Sequence, residues 1–238
     1  GGVQRIHLPT CFRCASRFTE GAPLTYPGCT VQTPSAPRYV ARIKSGLPLV
    51  LDGSVRGALT RADVDLSQSL GTAAVLSGQT HVLSTIHQRY CAAGVHVLRT
   101  NTAGTTPHAL ARAGYGYRAA KLSSLAVDLA TEAVDSSGRG VCVAGVLPAM
   151  EGTDERLRGE QLAHAQRLQA AGADRIFVDS VHTLREAVAA TAAAAQSRLP
   201  GRGGLRVGET GALSDGEALD VVVQALAAAG ARGFLAMP

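Results

Sequence analysis

The sequence predicts an α/β fold, and within that class a single-domain (β/α)8 TIM barrel. An Ala-rich helix, a small-residue stop and a short apolar strand recur in that order at residues 92–98, 170–178 and 228–235. A glycine after a helix supplies its left-handed end, and a continuous apolar run is typical of a strand buried on both faces. Repeated helix-then-strand units indicate parallel strands joined by helical crossovers.

Eight strands are expected, which is the count of a (β/α)8 barrel. They are placed at residues 3–8, 24–26, 47–51, 95–99, 141–146, 175–178, 205–208 and 233–236. Helices are expected over residues 34–44, 80–93, 117–136, 161–171, 183–199 and 215–229. Ser35 is the candidate N-cap of the first helix, and Gly46 follows its end. Residues 54–80 have weak periodicity and are predicted to be a long connection.

Composition excludes several classes of function. The net charge of +5 is spread along the chain. The chain has no cluster of basic residues with interleaved aromatics, so its sequence does not predict a groove that binds nucleic acid. No apolar run reaches the roughly 18 residues that a membrane span needs. Five cysteines without a recognisable secretion signal indicate reduced thiols and a cytoplasmic location.

Several short motifs follow one another in an order that resembles the homocysteine S-methyltransferase family. They are Leu-Val-Leu-Asp-Gly (49–53), His-Gln-Arg-Tyr-Cys-Ala-Ala-Gly (87–94), Arg-Thr-Asn-Thr (99–102), Val-Ala-Gly-Val-Leu-Pro (143–148), Ala-Gly-Ala-Asp (171–174) and Leu-Ser-Asp-Gly (213–216). The resemblance covers about residues 47–238. It implies a zinc-dependent barrel enzyme that methylates a thiol, with a small-molecule thiol and a methyl donor as its partners. The sequence does not predict an oligomeric state.

The motif that ends the last strand of this family has a partial counterpart near the front of the chain, Pro-Gly-Cys-Thr-Val-Gln-Thr-Pro at 27–34. The resemblance therefore implies a circularly permuted barrel. In that arrangement residues 1–46 supply the family's last two strand–helix units, and residues 47–238 supply the first six. Closely spaced termini make such a rearrangement physically inexpensive. The alternative is that residues 1–46 form an unrelated extension.

Thiol methylation requires a thiolate, because the neutral thiol is a weak nucleophile. The family holds zinc with three cysteines, and in this chain only Cys29 matches one of them. Cys11 and Cys14 have the Cys-x-x-Cys spacing of two zinc ligands and would complete a three-thiolate site with Cys29. A structural zinc site with His7 as a further ligand, or free thiols, are the alternatives. Cys91 and Cys142 are expected in the core.

Polar residues at predicted strand ends are the candidate acceptor-binding groups. By resemblance, Asp52 and Gly53 line the amino-acid pocket, and Asn101 bonds the substrate. Asp179 takes the position of a family glutamate that holds the substrate's ammonium group. Aspartate is one methylene shorter than glutamate, so Glu209, at the next predicted strand end, is the candidate that takes over this charge. A turn carboxylate at Asp52 and a loop-bracing amide at Asn101 are the structural alternatives.

Two other functions are compatible with parts of the chain. Tyr117 and Lys121 have the Tyr-x-x-x-Lys spacing of short-chain dehydrogenases, which implies an NAD(P)-dependent oxidoreductase. The glycine-rich dinucleotide turn of that family has only a poor match at residues 52–57. A catalytically decayed barrel that serves as a binding subunit is the second alternative, since two family cysteines are missing. His182 is expected on the surface, with an acid–base role as its alternative.

Overall fold

Helices and parallel strands alternate along the chain in this computed structural model, which describes residues 35–67, 70–148, 150, 154–197, 199–206, 212–213 and 216–237. The helices are α1 (Ser35–Lys44), α2 (Val55–Arg61), α3 (Thr80–Ala92), α4 (Pro107–Ala111), α5 (Ala119–Ser137), α6 (Asp154–Ala170), α7 (Leu184–Gln196) and α8 (Leu219–Ala228). The strands are β1 (Val97–Arg99), β2 (Cys142–Leu147), β3 (Arg175–Val181), β4 (Gly201–Arg206) and β5 (Phe234–Met237). Two 3₁₀ helices span Gly71–Ser77 and Gly116–Arg118.

The described strands form one sheet in the order β1-β2-β3-β4-β5, and all neighbours are parallel. A parallel bridge between Leu51 and Val97 extends the sheet beyond β1, where the sequence predicts the strand at residues 47–51. Strands in chain order with a helix between neighbours form the wall of a (β/α) barrel. The α/β class and the parallel connectivity are thus confirmed. Closure into a ring of eight strands stays a prediction.

The three repeated Ala-Ala-Gly stops end their helices as predicted. Gly94, Gly172 and Gly230 have φ values of 90°, 91° and 96°, a conformation that only glycine adopts at little cost. After the second of these stops, Asp174 ties the turn to the sheet, because its carboxylate Oδ2 accepts a 2.8 Å hydrogen bond from the Val143 amide. Each stop turns the chain from the helix layer into the next buried strand.

Helices cover one face of the sheet. Leu98, Val143 and Ile176 point from successive strands into a core. Helical residues such as Val127 and Leu168 complete this core. Continuous burial of β2 agrees with the apolar run in its sequence, because a strand between a helix layer and a second covered face has no solvent side.

Helix α1 lies on the opposite face of the sheet. Tyr39 is buried there against Val97, Ala144 and Phe177, and the Arg175 guanidinium carbon is 3.8 Å from the centroid of its ring. The predicted helix itself is confirmed. The permuted arrangement places it in the outer helix layer, whereas α1 packs on the opposite face of the sheet. The strands expected at residues 3–8 and 24–26 lie outside the described residues. The division at residue 46 therefore stays a prediction.

The long connection predicted over residues 54–80 contains two helical segments that the sequence analysis did not predict, α2 and the first 3₁₀ helix. Helix α2 begins there, and the Ser54 side chain caps it by accepting a 3.1 Å hydrogen bond from the Gly57 amide. The helix is short and contains a glycine, so its periodicity is faint in the sequence. Strand β4 also begins earlier than predicted, because pairing with β3 and β5 orders a glycine-rich segment that has few apolar side chains. None of the described helices has both the length and the apolar character needed to cross a membrane.

Glycine at position 145 allows α6 to approach β2 closely. A Cβ atom at Gly145 would lie 3.0 Å from Leu168 Cδ1 and 3.1 Å from Leu168 Cβ. We expect Gly145→Val to lower the free energy of unfolding by about 1–3 kcal/mol, since overpacking forces strain into the core. Chemical denaturation would measure the change.

The control is Gly159→Ala in α6, where nothing lies within 4 Å of the added Cβ. Glycine inside a helix costs roughly 0.5–1 kcal/mol relative to alanine, so this variant should be more stable than the parent. Equal stability of Gly145→Val and the parent would contradict the close helix–strand contact.

Candidate active site

A cleft of about 470 Å³ opens where β1, β2 and β3 end. The lining residues come from these strand ends and from the segments around α2 and the first 3₁₀ helix. They are Ser54, Val55, Arg56, Thr72, Arg99, Thr100, Asn101, Ala103, Val146 and Asp179. The carboxyl ends of parallel strands are where α/β proteins place their binding sites. The cleft contains two of the predicted acceptor-binding residues, Asn101 and Asp179.

Asp52 lies beneath the cleft and is bonded to Arg99. Its Oδ1 accepts from Arg99 Nε at 2.7 Å, and its Oδ2 accepts from the Arg99 backbone amide at 3.0 Å. The Asp52 side chain is 0% exposed. Burial raises the pKa of its carboxyl group, while the charge of Arg99 opposes that rise. Asp52 is thus more than a turn carboxylate, and within the described structure its two oxygens are directed at Arg99.

Arg99 is the functional candidate that sequence analysis missed. Its Nη2 donates to the carbonyl oxygens of Asp52 and Gly53 at 3.2 and 3.3 Å, and its guanidinium carbon is 5.2 Å from the centroid of the Phe177 ring. A basic residue at the end of a strand of otherwise apolar residues was the available signal. Its side chain remains 18% exposed, so the cation borders the cleft.

Asp179 lies beside Arg99 in the lining of the cleft. The distance from Arg99 Nη1 to Asp179 Oδ1 is 3.9 Å, and the Asp179 side chain is 34% exposed. A register shift in the β3–β4 pairing between Val178 and Val181 brackets this position, and such irregularities often accompany sites. His182 is exposed, as expected of a surface residue.

Asn101 braces the rim of the cleft. It is 5% exposed, and its Nδ2 donates a 2.8 Å hydrogen bond to the Thr72 carbonyl oxygen. The loop-bracing interpretation is therefore confirmed, while a bond from Asn101 to the substrate stays a prediction.

Beyond the end of β1, threonine hydroxyls form hydrogen bonds to the backbone of β2. Thr102 Oγ1 lies 2.8 Å from Thr100 Oγ1, accepts from the Val146 amide at 2.9 Å and donates to the Val146 carbonyl at 3.0 Å. His164 Nε2 lies 3.1 Å from the Thr102 carbonyl oxygen. These buried bonds hold the Arg99–Asn101 segment against β2, so the cleft has a rigid floor.

Packing against Tyr90 explains why position 53 is a glycine. A Cβ atom there would lie 2.9 Å from Tyr90 Oη. The same hydroxyl donates a 3.2 Å hydrogen bond to the Ser54 carbonyl. The glycine thus lets the tyrosine brace the turn that carries Asp52. A direct role for Gly53 in substrate binding stays a prediction.

The predicted metal ligands Cys11, Cys14 and Cys29, and the acceptor-binding candidate Glu209, lie outside the described residues. Among the residues that the structure describes, no three His, Cys, Asp or Glu side chains are grouped to hold a metal ion. Cys91 and Cys142 are fully buried, as predicted for core residues. The described part of the cleft therefore contains charged and amide groups and no metal-ligand set of its own.

The described residues define an α/β protein with a cleft at the carboxyl edge of a parallel sheet. The model of the family "Homocysteine S-methyltransferase" matches residues 49–237. The chain belongs to the homocysteine S-methyltransferase family, and it is a methyltransferase. A search of curated proteins found no match.

Solved structures support the same fold. The metallated form of the homocysteine methyltransferase MmuM from Escherichia coli superposes with a TM-score of 0.75 at 21% identity, over 83% of this chain and 77% of MmuM. Its oxidised form gives a TM-score of 0.69 at 24% identity, over 75% and 69% of the two chains. The apo form gives a TM-score of 0.64 at 20% identity, over 79% and 71%.

The dehydrogenase alternative is not favoured. Tyr117 is 84% exposed, and neither it nor Lys121 is among the residues that line the cleft. A catalytic tyrosine must contact its substrate, so a fully solvated position outside the cleft does not suit that role. The family match leaves the decayed barrel without support as well.

Proposed function

We propose that this chain transfers a methyl group from a sulfonium-type donor to the thiol of homocysteine or a related amino-acid thiol. The observation that best supports this proposal is the cleft at the carboxyl ends of β1–β3. Arg99 contributes a positive charge to its lining, Asp179 a negative charge and Asn101 an amide. An amino-acid acceptor carries both charges as well, which suits this lining. The family match supports the reaction class.

In this proposal the described residues bind and orient the acceptor. Asp179 attracts the acceptor's ammonium group, and Asn101 orients it. Glu209, which lies outside the described residues, is the predicted partner of Asp179 in this role. Asp52 and Gly53 hold the floor of the pocket in place. The acceptor's thiol loses its proton to solvent, and the resulting thiolate sulfur attacks the donor's methyl carbon. As the new carbon–sulfur bond forms, the bond between that carbon and the donor's sulfonium sulfur breaks, its electron pair stays on the donor sulfur, and the donor leaves as a neutral thioether.

The proposed cofactor is zinc held by Cys29 with Cys11 and Cys14. When bound, zinc lowers the pKa of a coordinated thiol, so that the acceptor is held as a thiolate at neutral pH. The crystal structure of a metallated form of MmuM supports a metal in this family. The described residues contain no alternative ligand set, so the proposal depends on these three thiols. We also propose that the protein is cytoplasmic and that its partners are small molecules.

The reaction is tested by incubating the purified chain with homocysteine and, separately, S-methylmethionine, S-adenosylmethionine or a betaine. Mass spectrometry should detect methionine with at least one donor. A folded, zinc-loaded sample that forms no methylated thiol with either sulfonium donor, S-methylmethionine or S-adenosylmethionine, would overturn the proposal.

Cys29→Ala should remove bound zinc and abolish methyl transfer, because two remaining thiolates do not make the three-ligand site of a catalytic zinc. Metal analysis of the purified protein measures the zinc content. Cys91→Ala is the matched control, since that thiol is buried in the core and its loss should leave the zinc content unchanged. Zinc retained in folded Cys29→Ala would exclude Cys29 as a ligand.

A further inference from the structure

Hydrogen bonds hold one edge of the Arg99 guanidinium, and the other edge has only a long ion pair with Asp179. Nε donates to Asp52 Oδ1, and Nη2 donates to the carbonyl oxygens of Asp52 and Gly53. Nη1 has no hydrogen-bond acceptor among the described residues, since its 3.9 Å separation from Asp179 Oδ1 exceeds hydrogen-bond length. Two N–H donors of a fixed cation therefore border the cleft.

This arrangement matches the requirements of a carboxylate site. Arginine donors form short, charge-assisted hydrogen bonds with carboxylates, and a planar fork that is already held in place loses little freedom when it binds. Asp52 is fully buried and already bonded to Arg99, so it positions the guanidinium and is not itself available to a ligand. The charged groups that a ligand meets are Arg99, Asp179 and the exposed Arg56 at the rim.

We propose that Arg99 is a specificity-determining residue that binds the carboxylate of the acceptor through Nη1. This inference rests on the proposed function only in taking the acceptor to be an amino-acid thiol. The carboxylate and ammonium groups of an amino acid sit on one carbon, so they are close neighbours. The adjacent Arg99 cation and Asp179 carboxylate present the complementary pair of charges.

Binding of three compounds tests the inference without methyl transfer or a thiol. They are methionine, the acid obtained by removing its amino group, and the amine obtained by removing its carboxylate. Isothermal titration calorimetry on the full chain would measure each affinity. For the parent protein, we expect the amine to bind at least about 10-fold more weakly than methionine, the effect of one lost charge-assisted hydrogen bond.

Arg99→Gln should weaken methionine and the acid by about 10-fold or more and leave the amine unchanged. Because this variant leaves Asp52 buried without its partner, the double variant Asp52→Asn/Arg99→Gln removes both charges together and should show the same selectivity. Arg61→Gln is the matched control, since it loses the same charge from an exposed position of α2 outside the cleft. Its affinities should equal those of the parent.

The outcomes separate this inference from the proposed function. Equal weakening of all three compounds by Arg99→Gln and by the double variant would show a structural role only and would overturn the inference. Parent affinities that are the same for methionine and the amine would also overturn it, whether or not methyl transfer occurs. Carboxylate selectivity that depends on Arg99, in a chain that methylates no thiol, would support the inference and reject the proposed reaction.

Discussion

Replacing Asp52 with alanine should lower the free energy of unfolding by about 3 kcal/mol, the lower end of the cost of removing one partner from a buried ion pair. Arg99 would lose its bond to Oδ1, and its backbone amide would lose the bond to Oδ2. Partial exposure of Arg99 lets water compensate for some of this loss. Urea denaturation measures the change, and the same variant should bind methionine more weakly because the guanidinium is no longer held in place.

Asp52→Asn separates the charge from the hydrogen bonds. An asparagine side chain has one oxygen and one NH2 group, so it can accept from Arg99 Nε or from the Arg99 backbone amide, and its NH2 group then faces the other donor. We expect a loss of about 1–3 kcal/mol, the cost of a buried donor without a partner. Asp135→Ala, which removes an exposed carboxylate from α5, is the control and should change stability little. A parent-like Asp52→Ala would show that the ion pair contributes nothing.

Acid should destabilise this protein between about pH 6.5 and pH 4. Burial lowers the pKa of both His87 and His164 to about 4, and at His164 the charge of Arg167 adds to the effect of burial. The unfolded chain binds protons at these residues near pH 6.5, while the folded chain does not until about pH 4. Stability is therefore fully present above pH 6.5, falls as the pH drops through this window and levels off below about 4. Each histidine accounts for about 3 kcal/mol.

A substitution at His87 tests the source of the acid loss. Neither ring nitrogen of His87 has a hydrogen-bond partner among the described residues. His87→Leu should therefore keep stability at pH 7 and reduce the acid loss by about 3 kcal/mol. The control is His81→Leu, which removes an exposed imidazole from the same helix and should keep the acid loss that His87 causes. Denaturant midpoints at several pH values give the profile, and a parent-like slope in His87→Leu would refute the assignment.

The elements with strong local signals were predictable from the sequence. Helix α3 and strands β2 and β3 begin within a residue of their predicted starts, because apolar runs and glycine stops determine them locally. Helix α2 was missed because its capping serine and few apolar residues leave a weak pattern. The early start of β4 at Gly201 was missed because glycines carry no side-chain signal, and only the neighbouring strands order that segment.

Prediction of the candidate site was incomplete for a different reason. Asp52, Asn101 and Asp179 were located because they follow predicted strands, and parallel strands bring their carboxyl ends to one edge. The sequence placed Asp52 in the pocket but contained no sign that Arg99 would take up its carboxylate. That ion pair joins residues far apart in the chain, and it depends on the register that the Leu51–Val97 bridge sets.

The sequence by itself determined the alternation of helices and strands, the stops between them and the family, because these depend on residues that are neighbours along the chain. The tertiary structure alone decided which face of the sheet α1 covers, which carboxylate is already bonded and which cation borders the cleft. Those features depend on distances between separate strands, and such distances exist only once the sheet has assembled.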